Sequence, residues 1–249
     1  MLKRALKRLL HPVRLAARRF LLLPPPGEGS YTGTHGCLYT AASFTTWNQV
    51  EGDYLEFGVY RGDSFATAYR AIRRQREKHA GMGYRGEEYE RWRARRPRFF
   101  AFDSFEGLPA GEARRHVDYD AGGYACSEEE FRRNLVAEGV DLDDVVVVKG
   151  FYDRTLHPGT KAATGLRRAA IAMIDCDLYE STVPVLDFLT DLVDQGSILI
   201  FHDWFRFKGS PNCGEQRACR EWLARNPQLE LVEYWREGPQ AVSYLVNLR

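Results

Sequence analysis

The sequence predicts an α/β fold: an open, seven-stranded, mostly parallel sheet with one antiparallel strand and helices on both faces. Three observations carry this. Short runs rich in apolar, β-branched and aromatic residues alternate with helical periodicities between residues 52 and 225. The first run leads into two glycines and a helix start, the unit from which open α/β sheets build nucleotide-sized sites. The last two runs, 229–235 and 241–247, are separated by a turn through Gly238 and Pro239, so they form a hairpin and one of them is reversed.

The organising stretch is 54–64. Tyr54, Leu55 and Phe57 suit a strand, and Gly58 and Gly62 permit backbone angles and close approach that a Cβ forbids. Asp63 or Ser64 can cap the following helix, which carries Phe65, Ala68, Tyr69 and Ile72 on one face. The order is Glu56-x-Gly58-x-x-x-Gly62, whereas a dinucleotide site needs G-x-G-x-x-G. The spacing therefore argues against a dinucleotide-dependent oxidoreductase. Two roles are open for Glu56. It takes the cationic end of a ligand lying against Gly58, Val59, Tyr60, Gly62 and Ser64, or it caps the turn.

Upstream, residues 37–50 read as a helix able to roof a ligand site with Tyr39, Phe44 and Trp47. Downstream, the charged run 73–96 mixes arginines with glutamates and reads as a solvated helix face and loop. The second strand, 98–103, ends in Asp103-Ser104, where a carboxylate either receives two ribose hydroxyls or caps the next turn. Residues 104–126 form a long loop, a length that in compact domains usually serves function; Tyr119, Tyr124 and His116 on it, with Tyr179 further on, are candidate acceptor contacts. Ser127 opens a capping box for a helix that turns Phe131 and Leu135 inward. Val145 to Val148 is a continuous β-branched run, expected to be a strand buried on both faces, and it ends at Gly150-Phe151, where an adenine could rest. The fourth and fifth strands, 169–174 and 196–201, are followed by Asp175-Cys176-Asp177 and His202-Asp203, with a helix carrying Val185, Leu186 and Leu189 between them.

At 249 residues, with 44% hydrophobic and 28% charged content, the chain is that of an ordinary globular domain. A net charge of +1 supplies no global attraction to nucleic acid, so none is expected as a partner. Five cysteines without C-x-x-C spacing fit a reducing compartment, hence the cytoplasm, and neither a disulfide framework nor a zinc site. The charge is uneven, however. Residues 1–26 hold seven lysines and arginines and no acid, and Leu2, Leu6, Leu9, Val13 and Ala17 share a helix face. Two readings are open for this basic amphipathic segment: residues 1–23 lie on an anionic membrane surface, placing the protein peripherally on the inner face of the membrane, or the segment packs on protein. The apolar run is too short to span a bilayer. The expected organisation is a basic helix over 1–26, a linker and helical lid over 27–50, and the main domain over 51–249.

Asp175, Asp177, His202 and Asp203 fall at the carboxyl ends of two strands that should be neighbours, the edge where open α/β sheets bind ligands. Three carboxylates and an imidazole converging there would repel if unpaired, and a divalent cation, Mg²⁺ or Mn²⁺, is a natural filler.

Glu56-x-Gly58…Gly62, Phe102-Asp103-Ser104-Phe105-Glu106-Gly107-Leu108-Pro109, Lys149-Gly150, Asp175-Cys176-Asp177-Leu178-Tyr179-Glu180-Ser181-Thr182 and His202-Asp203, in this order, resemble the macrocin O-methyltransferase family. The resemblance implies a Rossmann-like class I methyltransferase fold, S-adenosyl-L-methionine (SAM) as methyl donor, Mg²⁺, and methylation of sugar hydroxyls in natural products or glycans. It covers residues 52–223; the segments 102–109 and 175–182 are its specific part. Carried over by position, Asp175 and the acidic pair after the fifth strand bind metal, Asp177 is the candidate base, and homodimers are common. Here that pair reads His202-Asp203. The departure leaves His202 as ligand, as base of a metal-independent enzyme, or as neither. A non-catalytic SAM-fold or membrane-surface module is the rival from another class. If residues 1–23 meet a membrane, the acceptor is a lipid-linked glycan.

Overall fold

Among the described residues, 36–109 and 119–249, the computed structural model has seven strands in one sheet. They are β1 Asp53–Phe57, β2 Phe99–Asp103, β3 Val145–Lys149, β4 Ala169–Ile174, β5 Ile198–Phe201, β6 Leu229–Glu237 and β7 Ala241–Leu248, in the order β3-β2-β1-β4-β5-β7-β6. The first five pair in parallel; β7 runs antiparallel to both β5 and β6. The expected hairpin thus forms, and its second strand inserts beside β5. The segment 1–26 and His116 lie outside the described residues.

The central strands are the apolar ones. Every residue of β1, β4 and β5 is buried, as strands covered on both faces must be. β3 corrects one expectation. Its four valines are only half-buried because β3 pairs with β2 alone and forms one edge of the sheet. A valine run reports β-propensity, not centrality. At the other edge β6 exposes Glu230, Glu233 and Glu237 among others, or leaves them half-covered, charges that discourage further strand pairing.

Alternating side chains feed two cores. On one face Tyr54, Phe99, Ala101, Ile171, Met173, Ile198 and Ile200 meet α1 Gly36–Trp47, α2 Asp63–Ala80 and α4 Glu128–Ala137. On the other, Leu55, Phe57, Phe100, Phe102, Ile174, Leu199 and Phe201 meet α7 Tyr179–Leu189 and α8 Gly214–Arg225. Trp222 of α8 is fully buried there and donates to Thr190 Oγ1 at 2.8 Å, so its burial leaves no polar group unmatched. Short helices α3 Glu87–Ala94, α5 Tyr152–Thr155 and α6 Pro158–Thr164 fill connections.

α1 does not roof the ligand site. The Glu237 carboxylate, at the end of β6, accepts from the amides of Gly36 and Cys37 at 2.6 Å each and pins the helix N-terminus where negative charge is favoured. Cys37, Leu38, Ala41 and Ala42 then bury against the sheet. The large rings follow: Phe44 packs edge-on against Tyr234 and Trp47 against His79.

Candidate active site

The parallel ladder runs one step beyond the strand ends. Gly58 N–H donates to Phe102 O, Gly150 N–H to Asp103 O, Asp175 N–H to Phe57 O and His202 N–H to Ile174 O, at 2.9–3.0 Å. These bonds align the first residues after β1, β3, β4 and β5 along one rim of the sheet. A cavity of 660 Å³ opens there, a volume within the ordinary range for small-molecule sites.

Gly58, Tyr60, Asp103, Ser104 and Phe151 line one part of its wall. Gly58 has φ +89°, and a Cβ on it would stand 1.9 Å from the Asp175 carbonyl oxygen. Only glycine lets the β1 and β4 loops approach so closely. Asp103 lines the cavity and also holds its floor: Oδ2 accepts from the amides of Val59 at 2.8 Å and Tyr60 at 3.3 Å, and Oδ1 from Phe105 at 2.7 Å. The turn-capping role expected of this carboxylate is thus in place.

Glu56, Val59, Gly62, Ser64 and Gly150, expected at the cofactor, are not among the residues that line the cavity. Glu56 is fully buried, and its two oxygens accept from the hydroxyls of Tyr54 and Ser64. Burial pushes its carboxyl up to about 8 against the help of those hydroxyls. Gly62 opens α2 with φ +88°; a Cβ there would crowd Phe131 and Leu135 at 3.0 Å, so it serves the packing of α2 on α4.

On the other side the chemistry-bearing groups gather. Asp175, Asp177, His202 and Asp203 all line the cavity, with Tyr119 and Tyr124. His202 Nδ1 lies 2.9 Å from Asp175 Oδ1 and 3.7 Å from Asp203 Oδ2. It is buried and close to both carboxylates but off the line a hydrogen bond requires. One donor atom each from Asp175, His202 and Asp203 lie within 4.8 Å of one another. Asp177 adopts φ +62° and stands beside this trio, near Tyr119 and Asp203.

The electrostatics follow from crowding. Burial raises Asp175, despite the attraction of His202. Burial also raises Asp177 well above the carboxylate range, and the charges of Asp203 and Asp175 add to it. Burial would lower His202, but the charge of Asp175 and the close approach of both carboxylates to Nδ1 outweigh it and push the imidazole up to about 12. Burial opposes ionisation of Asp203 too, yet the nearby His202 and Asp177 and the bond from Arg206 hold it well below its ordinary value. In the chain alone, the crowding favours the protonated forms of His202 and Asp177 and the ionised form of Asp203.

Tyr179 is placed elsewhere. Its hydroxyl donates to Glu221 at 2.7 Å and Arg217 stacks on its ring at 3.9 Å, so it joins α7 to α8 and does not line the cavity. Sequence reasoning also missed several groups. Arg206 Nε bonds Asp203 Oδ1 at 3.0 Å; its place three residues after Asp203 was the available signal. Gln240, from the hairpin turn, lines the cavity with no local signal. Glu215, 1% exposed, accepts from the Asp203 amide through Oε2 at 3.0 Å, while its Oε1 is buried without a hydrogen-bond partner.

A sheet of this strand order with β7 reversed, closing on a cavity at the carboxyl edge of β1, β2, β4 and β5, is the architecture of the class I methyltransferases. The chain matches the macrocin O-methyltransferase (TylF) family over residues 37–222 and belongs to it. It is 33% identical over 162 residues to the 8-demethyl-8-(2,3-dimethoxy-alpha-L-rhamnosyl)-tetracenomycin-C 4'-O-methyltransferase of Streptomyces olivaceus, covering 62% of this chain and 54% of that one. It is 28% identical over 199 residues to the demethyldecarbamoylnovobiocin O-methyltransferase of Streptomyces niveus, covering 77% and 66%. The chain thus spans between about half and two thirds of the length of these curated relatives. Among solved structures, the O-methyltransferase NovP has a TM-score of 0.64 at 24% identity, covering 84% of this chain and 77% of that one. The calicheamicin methyltransferase CalS11 has 0.61 at 23%, covering 94% and 90%. Both share the fold.

Proposed function

We propose that this chain is a SAM-dependent O-methyltransferase acting on a hydroxyl of a sugar in a natural product or glycan, with a divalent cation pairing the acceptor oxygens. One observation carries the reading: a single 660 Å³ cavity joins the glycine bend, the carboxylate after β2 and the group Asp175, Asp177, His202 and Asp203. Family membership supports the chemistry, and the names of the relatives, one of them specifying a rhamnosyl-bearing tetracenomycin, support the acceptor class.

SAM fits the first part of the wall. Asp103 would receive ribose hydroxyls, Phe151 would lie against the adenine, and Gly58 would let the methionine portion pass close to the backbone. The donor set of Asp175, His202 and Asp203 fits a cation. Mg²⁺ and Mn²⁺ both suit such donors, and either would lower the pKa of the acceptor hydroxyl when bound.

The chain's own residues then do three things. They hold donor and acceptor in line, which for displacement at an activated carbon supplies much of the rate. Asp177 receives the acceptor's proton, with Tyr119 orienting its carboxylate. Leu108, Pro109, Tyr119 and Tyr124 narrow the entrance against water. His202 as base of a metal-free enzyme is disfavoured, since without a cation the adjoining Asp175 and Asp203 favour its protonated form; a bound cation would take the place of that proton at Nδ1.

Calorimetry with SAM, followed by transfer of labelled methyl to a panel of glycosylated natural products with and without EDTA, tests this. The expected result is SAM binding and label in the sugar, lost on chelation. Absence of SAM binding would sink the proposal; transfer that survives thorough chelation would remove the cation from it.

A further inference from the structure

We infer that the cation site is a histidine-containing centre for a first-row transition ion, Mn²⁺ or a later divalent metal, and that it discriminates against Mg²⁺. This rests on the cation assigned under Proposed function and goes on to name its class. The step after β5 presents an imidazole where an all-carboxylate site would present a third acid. The backbone of His202 is tied to Ile174 O at 3.0 Å, and its Nδ1 faces Asp175 Oδ1 at 2.9 Å and Asp203 Oδ2 at 3.7 Å without the alignment of a hydrogen bond. The nitrogen therefore points at the place where the two carboxylates converge.

The opposing donor is equally fixed. Asp203 is 4% exposed, its amide is held by Glu215 Oε2 at 3.0 Å, and its Oδ1 by Arg206 Nε at 3.0 Å, which leaves Oδ2 for the centre. Glu215 is itself 1% exposed, and its second oxygen has no partner. A site so anchored cannot easily exchange its nitrogen for an oxygen.

Hard Mg²⁺ demands oxygen ligands and gives up water reluctantly. Imidazole suits the transition divalent ions better. Replacing a carboxylate by a neutral imidazole also removes one negative charge, and that costs the hard ion more than the softer one.

The full chain is titrated with Mn²⁺, following loss of the aqua-ion signal by electron paramagnetic resonance, with Mg²⁺ as competitor. Electron spin echo modulation of the bound Mn²⁺ then reports whether a ¹⁴N nucleus is coordinated. The wild type should show that modulation, and Asp175→Asn should lose the bound signal, which locates the site. In His202→Asp the ratio of Mg²⁺ to Mn²⁺ dissociation constants should fall about tenfold, as an imidazole becomes a carboxylate. Bound Mn²⁺ without ¹⁴N modulation, or the same ratio in both proteins, would overturn this inference and leave the cation reading standing. Failure of both ions to bind the wild type would remove the two together. The echo measurement is made on the wild type, so it decides the matter even if a variant fails to fold.

Discussion

The Cα of Gly58 and the carbonyl oxygen of Asp175 are packed so closely that a single methyl group at position 58 would lie 1.9 Å from that oxygen. The β1 bend and the end of β4 are thereby one joint, and the SAM side of the cavity depends on the same contact as the cation side. Gly58→Ala should open it. The expected outcome is a loss of SAM affinity of about a hundredfold or more in calorimetry and a clear drop in melting temperature, because a left-handed L-residue costs about 1–2 kcal/mol before the clash is counted. Gly209→Ala is the control: φ is +68° there too, but nothing lies within 4 Å of the added methyl, so only the backbone cost remains.

Glu56 supplies a pH signature. Burial raises its carboxyl from 4.5 to about 8 in the folded chain. The folded state thus binds this proton more tightly than the unfolded state. Its contribution is fully present below about pH 4.5, declines across the window from 4.5 to 8 at up to roughly 1.4 kcal/mol per pH unit, and is gone above it. Glu56→Gln is neutral throughout. Thermal melts of the ligand-free proteins should show the variant gaining on the wild type as pH rises through that window; parallel curves would count against the assignment.

The basic segment 1–26 makes a separate claim. If residues 1–23 bring the enzyme to an anionic surface, the full chain should co-sediment with vesicles rich in anionic lipid, and added salt should release it as screening grows. A chain with Lys3, Arg4, Lys7 and Arg8 changed to glutamate should stay in the supernatant. Equal recovery of both chains would end the membrane reading.

What could be read in advance follows a physical line. The acids and the histidine after β4 and β5 were legible because strand ends in an open α/β sheet share one rim, and residues 171–174 and 198–201 announce themselves by apolar content. The edge position of Val145 to Val148 was not, since propensity does not say what lies alongside. Tyr179 misled because it sits within a specific motif, and nothing local shows that its ring faces Arg217 and Glu221 on α8. Glu215 and Gln240 were invisible for the same reason: their partners, Asp203 and the cavity wall, are brought to them by tertiary packing and by the insertion of β7. Helix α6, Pro158–Thr164, lacks any buried residue and so leaves no apolar period to read.

The two tyrosines can be told apart by function. Tyr179→Phe should leave turnover and SAM affinity nearly unchanged and lower the melting temperature slightly, since its hydroxyl bonds Glu221 on α8, away from the cavity lining. Tyr119 is 2% exposed, and its hydroxyl lies beside Asp177 on the cavity wall. Tyr119→Phe should reduce kcat about ten- to a hundredfold, the worth of a polar contact to a charged group, with SAM affinity retained. The acidic limb of its pH–rate profile should also move upward, because the hydroxyl favours the ionised form of Asp177. A Tyr179 variant that loses turnover as severely would mean the acceptor approaches from α7.

Asp177 and His202 compete for the role of base, and their surroundings decide between them. His202 turns Nδ1 toward Asp175 and Asp203, where a bound cation would take its lone pair, so that nitrogen is not available for the acceptor's proton. Asp177 is raised by burial and by Asp203 and Asp175, so it releases its proton at higher pH than an ordinary carboxylate and then holds a basic site facing the cavity. Rate should rise as pH climbs through that ionisation. Asn tolerates the left-handed conformation at φ +62°, so Asp177→Asn should fold and bind SAM while losing about 10²–10⁴ in kcat, the usual worth of a positioned general base. His202→Asn should weaken Mn²⁺ binding first, and its turnover should recover in part when more metal is added. If instead His202→Asn is dead at saturating metal and Asp177→Asn is not, the proton leaves through the imidazole and the assignment of Asp177 fails.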